Sequence, residues 1–80
     1  MTLQQLRYVI QAADSRSMNE AAKQLYISQP SLSGAIKDLE EEIGTEIFKR
    51  TNKGTVLTPE GEEFLGYARQ VAEQYQLLEE

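Results

Sequence analysis

Between Ser28 and Lys37 the chain gathers Ser28, Gln29, Pro30, Ser31, Ser33, Gly34 and Lys37, with no carboxylate among them. Hydroxyls, one amide and one ammonium can donate and accept hydrogen bonds, but none is a nucleophile with a base beside it. The sign of the charge then reverses, because Asp38, Glu40, Glu41 and Glu42 follow directly. On a helix, the small and neutral-to-basic leading half can come close to a polyanion, whereas the acidic trailing half cannot. Enzymatic readings fail for want of parts. The chain has no histidine and no cysteine, no G-x-S-x-G and no glycine-rich phosphate loop. Without His, Cys or a glycine-bearing EF-hand loop, the Asp38–Glu42 cluster reads as a solvated face rather than a metal site or carboxylate dyad. These carboxylates are left to meet basic groups on a partner or to restrain binding by the helix. No cofactor is expected.

The net charge of −5 argues against an anionic partner only if taken whole. Residues 1–37 carry +2, residues 38–48 −5, residues 49–58 +3 and residues 59–80 −5. Positive charge therefore sits in two islands, and local charge governs contact with phosphates while the overall field weakens long-range attraction. Eighty residues make one small domain, which must bury about 60% of its unfolded surface. No apolar run approaches the ~18 residues of a membrane span, and no basic-then-apolar leader opens the chain. A cytoplasmic protein without membrane contact is expected.

The elements that must position these residues are legible from caps and apolar spacing. Thr2 and Gln5 form a capping box and Met1 with Leu6 a staple, ahead of Leu3, Leu6, Ile10 and Ala13 at helical spacing, so a first helix is expected over 3–14. Ser17 and Glu20 form a second box before Met18, Ala21, Ala22 and Leu25, a helix of about eight residues that needs its neighbours to hold it. Tyr26, Ile27 and Ser28 are the turn, here without glycine. Ser28 caps a third helix, Pro30 fits its first turn, and Ile27 staples to Leu32. Leu32, Ala35, Ile36, Leu39 and Ile43 make its buried stripe and Gly44 its left-handed stop. Short helix, tight turn and longer helix spell a helix-turn-helix over about 18–37.

After Gly44 the period changes. Ile47–Arg50 and Thr55–Thr58 are β-prone runs around Thr51-Asn52-Lys53-Gly54, a hairpin anchored by Phe48 and Leu57 with basic residues at its tip. Thr58 caps a fourth helix, with Pro59 at its first position and Glu60 and Glu62 in its first turn. Phe64, Ala68, Val71, Tyr75 and Leu78 alternate by four and three, a coiled-coil-type seam widened by Leu65 and Ala72. With no C-cap signal, the chain is expected to stop inside a helix, as in a truncated protein. The fold class is mostly α: a winged helix-turn-helix over 1–58 (three helices plus a hairpin wing at about 47–58), then a linker and dimerisation helix over 59–80. Tyr8, Tyr26, Tyr67 and Tyr75 read as core rim and seam rather than as platforms for stacked bases.

In this order the motifs resemble the N-terminal DNA-binding domain of LysR-type bacterial transcription regulators, across essentially the whole chain. The resemblance rests on Leu3-Gln4-Gln5-Leu6, Ala21-Ala22, Ser28-Gln29-Pro30-Ser31-Leu32-Ser33, Ile36-Lys37-Asp38-Leu39-Glu40, Gly44, Phe48-Lys49-Arg50 and Leu57-Thr58-Pro59-Glu60-Gly61. It implies sequence-specific binding of double-stranded DNA by a homodimer joined through the fourth helix. A small-molecule effector would act only through a C-terminal domain that this chain lacks. The sequence departs from the family at Gly34, where many members carry Arg, at acidic Asp38, where basic residues are common, and at Lys53, usually Arg. Fewer strong base contacts from the third helix are therefore expected, with more left to other residues or to DNA shape.

The resemblance also implies roles. The start of the third helix enters the major groove, where Gln29 pairs with an adenine edge, Ser33 donates or accepts, and Pro30 meets a thymine methyl. The first-turn N–H groups suit a phosphate, and Lys37 reaches phosphate or guanine. Capping and contact are compatible for Ser28, Gln29 and Pro30, and capping alone is the plainer alternative, as it is for Ser17 and Asn19 at the start of the second helix. Ser31 and Gly34 lie on the same leading half. Lys53 is the minor-groove candidate at the wing tip, while Arg50 either binds phosphate or pairs internally with Glu40. The competing reading is a winged-helix module for protein–protein contact that ignores DNA.

Overall fold

The structure, a computed structural model, describes residues 1–80. Helices α1 (Leu3–Asp14), α2 (Met18–Leu25) and α3 (Gln29–Ile43) precede an antiparallel hairpin of β1 (Phe48–Thr51) and β2 (Gly54–Leu57), and α4 (Pro59–Glu79) closes the chain. This is a winged helix-turn-helix followed by a long helix. Each helix begins where a hydroxyl meets an otherwise unpaired N–H. Thr2 Oγ1 accepts from Gln5 N at 3.1 Å while Gln5 Oε1 accepts from Thr2 N at 2.9 Å, the complete capping box. The second box is only half formed. Ser17 caps the Glu20 N–H, but the Glu20 side chain instead accepts from Gln24 one turn on.

The helix-turn-helix turn lacks glycine, so another residue takes the left-handed backbone. Tyr26 does so at φ 59°, its N–H closing on the carbonyls of Ala22 and Lys23. Its side chain is 94% exposed. This corrects the expectation that Tyr26 lines the core rim: a residue in that backbone points its side chain away from both helices. Ile27 then turns inward against the core, as its place in the turn demands.

Val9 of α1, Ala21 and Ala22 of α2, Leu32, Ile36 and Leu39 of α3, and Ile47 make one buried cluster. Each of its large aliphatic side chains contributes about 1.5–3 kcal/mol. Phe48 and Leu57 pack on it from the wing and Phe64 and Leu65 from α4. Both alanines of α2 are buried where that helix packs against α1 and α3.

The strands run one residue off the expected runs, because Ile47 is a clamp and not a strand residue. Its N–H donates to Glu40 Oε2 at 2.7 Å, and its carbonyl accepts from Thr58 N at 2.9 Å. Thr58 Oγ1 donates to the carbonyls of Glu46 and Ile47 and accepts from Gly61 N at 2.8 Å. Gly61 lies so close that a Cβ there would sit 2.1 Å from the Ile47 carbonyl oxygen. The start of α4 is thus pressed onto the root of the wing, backbone against backbone. Farther along, α4 lies on α1, held at its edge by the two-pronged Arg69–Asp14 ion pair (2.6 and 3.2 Å) and by Arg7, whose guanidinium carbon stands 5.3 Å from the centre of the Tyr75 ring.

Candidate nucleic-acid interface

Helix α3 turns Leu32, Ile36 and Leu39 inward, which forces Pro30, Gly34 and Lys37 outward. Pro30, Ser31, Gly34 and Lys37 are exposed and Ser33 is half-buried. Nothing stands within 4 Å of the place a Gly34 Cβ would occupy, so the outer crest of the leading half is bare. Ser28 Oγ accepts from Ser31 N at 3.2 Å and donates to Ser31 Oγ at 2.8 Å, so both serines already serve the cap. Gln29 donates through Nε2 to Ser33 Oγ at 2.6 Å, one turn ahead. Ser17 is engaged in capping α2, and Asn19 is exposed in the first turn of that helix.

Beside α3 the wing completes a groove lined by Met18, Ser33, Lys37, Glu40, Phe48 and Arg50, among others. Lys37 and Arg50 thus border one groove from two different elements. The internal Arg50–Glu40 pair does not form. Glu40 instead accepts from Ile47 N at 2.7 Å and Phe48 N at 3.0 Å, because two N–H donors fixed at the root of the wing already hold its Oε2. The two ion pairs of the molecule are Met1–Glu42 and Asp14–Arg69, which leaves Lys37, Arg50 and Lys53 unpaired. Lys53 stands at the tip of the wing. Thr51 Oγ1 accepts from Lys53 N and donates to the Gly54 carbonyl, and Gly54 (φ 118°) completes the turn.

The solvated-face reading of Asp38–Glu42 holds for Asp38, Glu41 and Glu42, all exposed, and fails for Glu40. Glu40 ties α3 to the wing, and Glu42 pairs with the Met1 amino group. Gln5 also reaches α3, donating to the Ala35 carbonyl at 3.3 Å. Glu40 ties α3 to the root of the wing, and Thr58 and Gly61 tie the start of α4 to the same root, contacts that apolar periodicity does not reveal.

The five residues of the expected seam divide between two duties. Ala68 is 2% exposed in the helix that packs on α1 and is not free to meet a second copy as the seam requires, while Phe64, half-buried against the core, is free only in part. The packing of α4 on α1 claims that side of the helix. Val71, Tyr75 and Leu78 remain open at 48%, 39% and 82%, with Tyr67 and Leu77 also exposed. Tyr75 has one ring face under Arg7.

Comparison with known sequences decides the family. Residues 3–62 match the profile described as the bacterial regulatory helix-turn-helix protein, lysR family. The chain belongs to the LysR family. Among its relatives, the HTH-type transcriptional regulator BudR of Klebsiella aerogenes is 52% identical over 64 residues, covering 80% of this chain and 45% of BudR. The uncharacterised HTH-type transcriptional regulator YkuM of Bacillus subtilis (strain 168) is 36% identical over 80 residues, all of this chain and 27% of YkuM. Among solved structures, the crystal structure of the BenM_DBD/catB site 1 DNA complex superposes with a TM-score of 0.92 at 36% identity, covering 98% of this chain and 84% of that one. The chain thus spans less than half the length of these LysR-family relatives. No helix in it is long and apolar enough to cross a membrane.

Proposed function

We propose that this chain binds double-stranded DNA sequence-specifically, as a homodimer, to regulate transcription. The observation that carries the reading is the groove between α3 and the wing. It has a carboxylate-free helix crest on one side, a lysine-tipped hairpin on the other, and Lys37 and Arg50 unpaired at its edges. The crest enters the major groove, where Gln29 meets an adenine edge and Pro30 a thymine methyl. Lys53 reaches the minor groove, whose negative potential draws basic side chains, and Lys37 and Arg50 take phosphates on either side. Ser28 and Ser31 hold the first turn of α3 open toward the backbone of the duplex, with Ser17 and Asn19 flanking it on α2. Val71, Tyr75 and Leu78 meet the same residues of a second copy.

The regulator acts in the cytoplasm and is not an enzyme, and a small-molecule effector reaches it only through a domain outside this chain. The family relationship supports these statements. The test is selection of bound duplexes from a random pool. The expected result is one recurrent motif with two-fold symmetry and half-sites spaced by whole helical turns. Recovery of no preferred sequence, with binding to a basic protein instead, would replace this reading with the protein-contact one.

A further inference from the structure

We propose that Ser33 acts through Gln29, as the residue that positions the Gln29 amide for base recognition, rather than as an independent base contact. The inference rests on the DNA-binding reading and adds a division of labour within it. The Gln29 Nε2 to Ser33 Oγ distance of 2.6 Å is the shortest side-chain contact on the leading half of α3. It joins residues one helical turn apart, which face each other on the helix surface. The other two hydroxyls nearby cannot do this work, because Ser28 and Ser31 are bonded to each other and to the cap.

A glutamine amide carries two N–H groups and one carbonyl oxygen. Giving one N–H to Ser33 leaves the other N–H and Oε1 free, the pair that bidentate recognition of adenine N7 and N6 requires. A free glutamine loses much rotamer freedom when it is immobilised on a base. The Ser33 hydroxyl imposes that order before the duplex arrives, so less is lost on binding. Ser33 is half-buried beside the wing groove and Gln29 is half-buried too, which keeps the bond partly out of competition with water.

The experiment is duplex selection from a random pool with the parent chain, Gln29→Ala, Ser33→Ala, Ser33→Thr and the Gln29→Ala/Ser33→Ala double variant, each checked for an unchanged thermal melt. Ser33→Ala is expected to relax preference at the same base position as Gln29→Ala, by about fivefold, which is ~1 kcal/mol at 1.4 kcal/mol per decade. The double variant should match Gln29→Ala alone, and Ser33→Thr, which keeps the hydroxyl, should restore the preference. Relaxation at a different base position, or additive losses in the double variant, would overturn the positioning role and make Ser33 a direct contact. A parent that selects no sequence would overturn the DNA-binding reading itself, and the inference with it.

Discussion

The same substitution, glycine to alanine, should have opposite effects at two places in α4. At Gly61 a new Cβ would lie 2.1 Å from the Ile47 carbonyl oxygen, 2.9 Å from its carbon and 3.0 Å from its Cα. All three atoms are backbone, so no rotamer change relieves the clash. Ile47 cannot retreat, because its side chain is fully buried, its N–H is held by Glu40 and its carbonyl by Thr58. Backbone displacement in a packed region costs about 1–3 kcal/mol, and a weakened Thr58–Ile47 clamp adds ~1 kcal/mol. Against this stands a gain of ~1 kcal/mol in helix propensity. The net loss is about 1–3 kcal/mol, or a Tm lower by roughly 4–24 °C for a domain of this size. At Gly66 nothing lies within 4 Å, so only the propensity gain applies and Tm should rise by about 4–8 °C. Thermal unfolding followed by circular dichroism reads both. A Gly61→Ala chain that melts at or above the parent would refute the close helix–wing contact.

Other expectations follow from named contacts. Glu40→Ala leaves the N–H groups of Ile47 and Phe48 without their acceptor and should cost about 2 kcal/mol in urea unfolding, with Glu40→Gln losing less because it keeps one oxygen. A loss under ~0.5 kcal/mol would show that water replaces the carboxylate there. The Arg69 guanidinium, by hydrogen bonding, holds the Asp14 carboxyl below its ordinary range. Its stabilisation is therefore full above the unfolded carboxylate pKa and fades as pH falls through the lowered folded value. Asp14→Asn should accordingly melt below the parent near pH 6, with the difference vanishing toward pH 2. Both partners are about half exposed, so that difference corresponds to less than ~1 kcal/mol, and a gap that widens on acidification would contradict the pair. Val71→Glu should sediment as monomer at concentrations where the parent is dimeric, and identical profiles would remove α4 from the subunit contact.

Helix boundaries were legible because caps and apolar spacing are local: Thr2, Ser17, Ser28 and Thr58 each stand one residue ahead of a helix. What could not be read is long-range or backbone-borne. Glu40 is one carboxylate among four neighbours, and its bonds to Ile47 and Phe48 depend on where the chain returns after Gly44. Gly61 looks like a weak point of an amphipathic helix until Ile47 is placed against it. Ala68 fits the heptad pattern as well as Val71 does, yet α1 takes it, since a heptad seam does not say which helix will cover it. Tyr26 offered no cue at all. Turns that need a left-handed residue favour glycine or asparagine, and a tyrosine there hides the turn type. On the proposed contact face the residue types were readable in advance, whereas the half-burial of Gln29 and Ser33, the bond between them and the freedom of Arg50 required coordinates.

The central claim is that an acidic chain meets DNA through one clean helix crest and a lysine-tipped wing. The direct measurement is the dependence of duplex affinity on salt, by fluorescence anisotropy, for the parent and for Lys53→Ala. Affinity should fall steeply with salt for the parent, and Lys53→Ala should bind more weakly with a slope smaller by about 1, the signature of one released counterion. A parent indifferent to salt, or a Lys53→Ala chain with the parent's affinity and slope, would contradict the account.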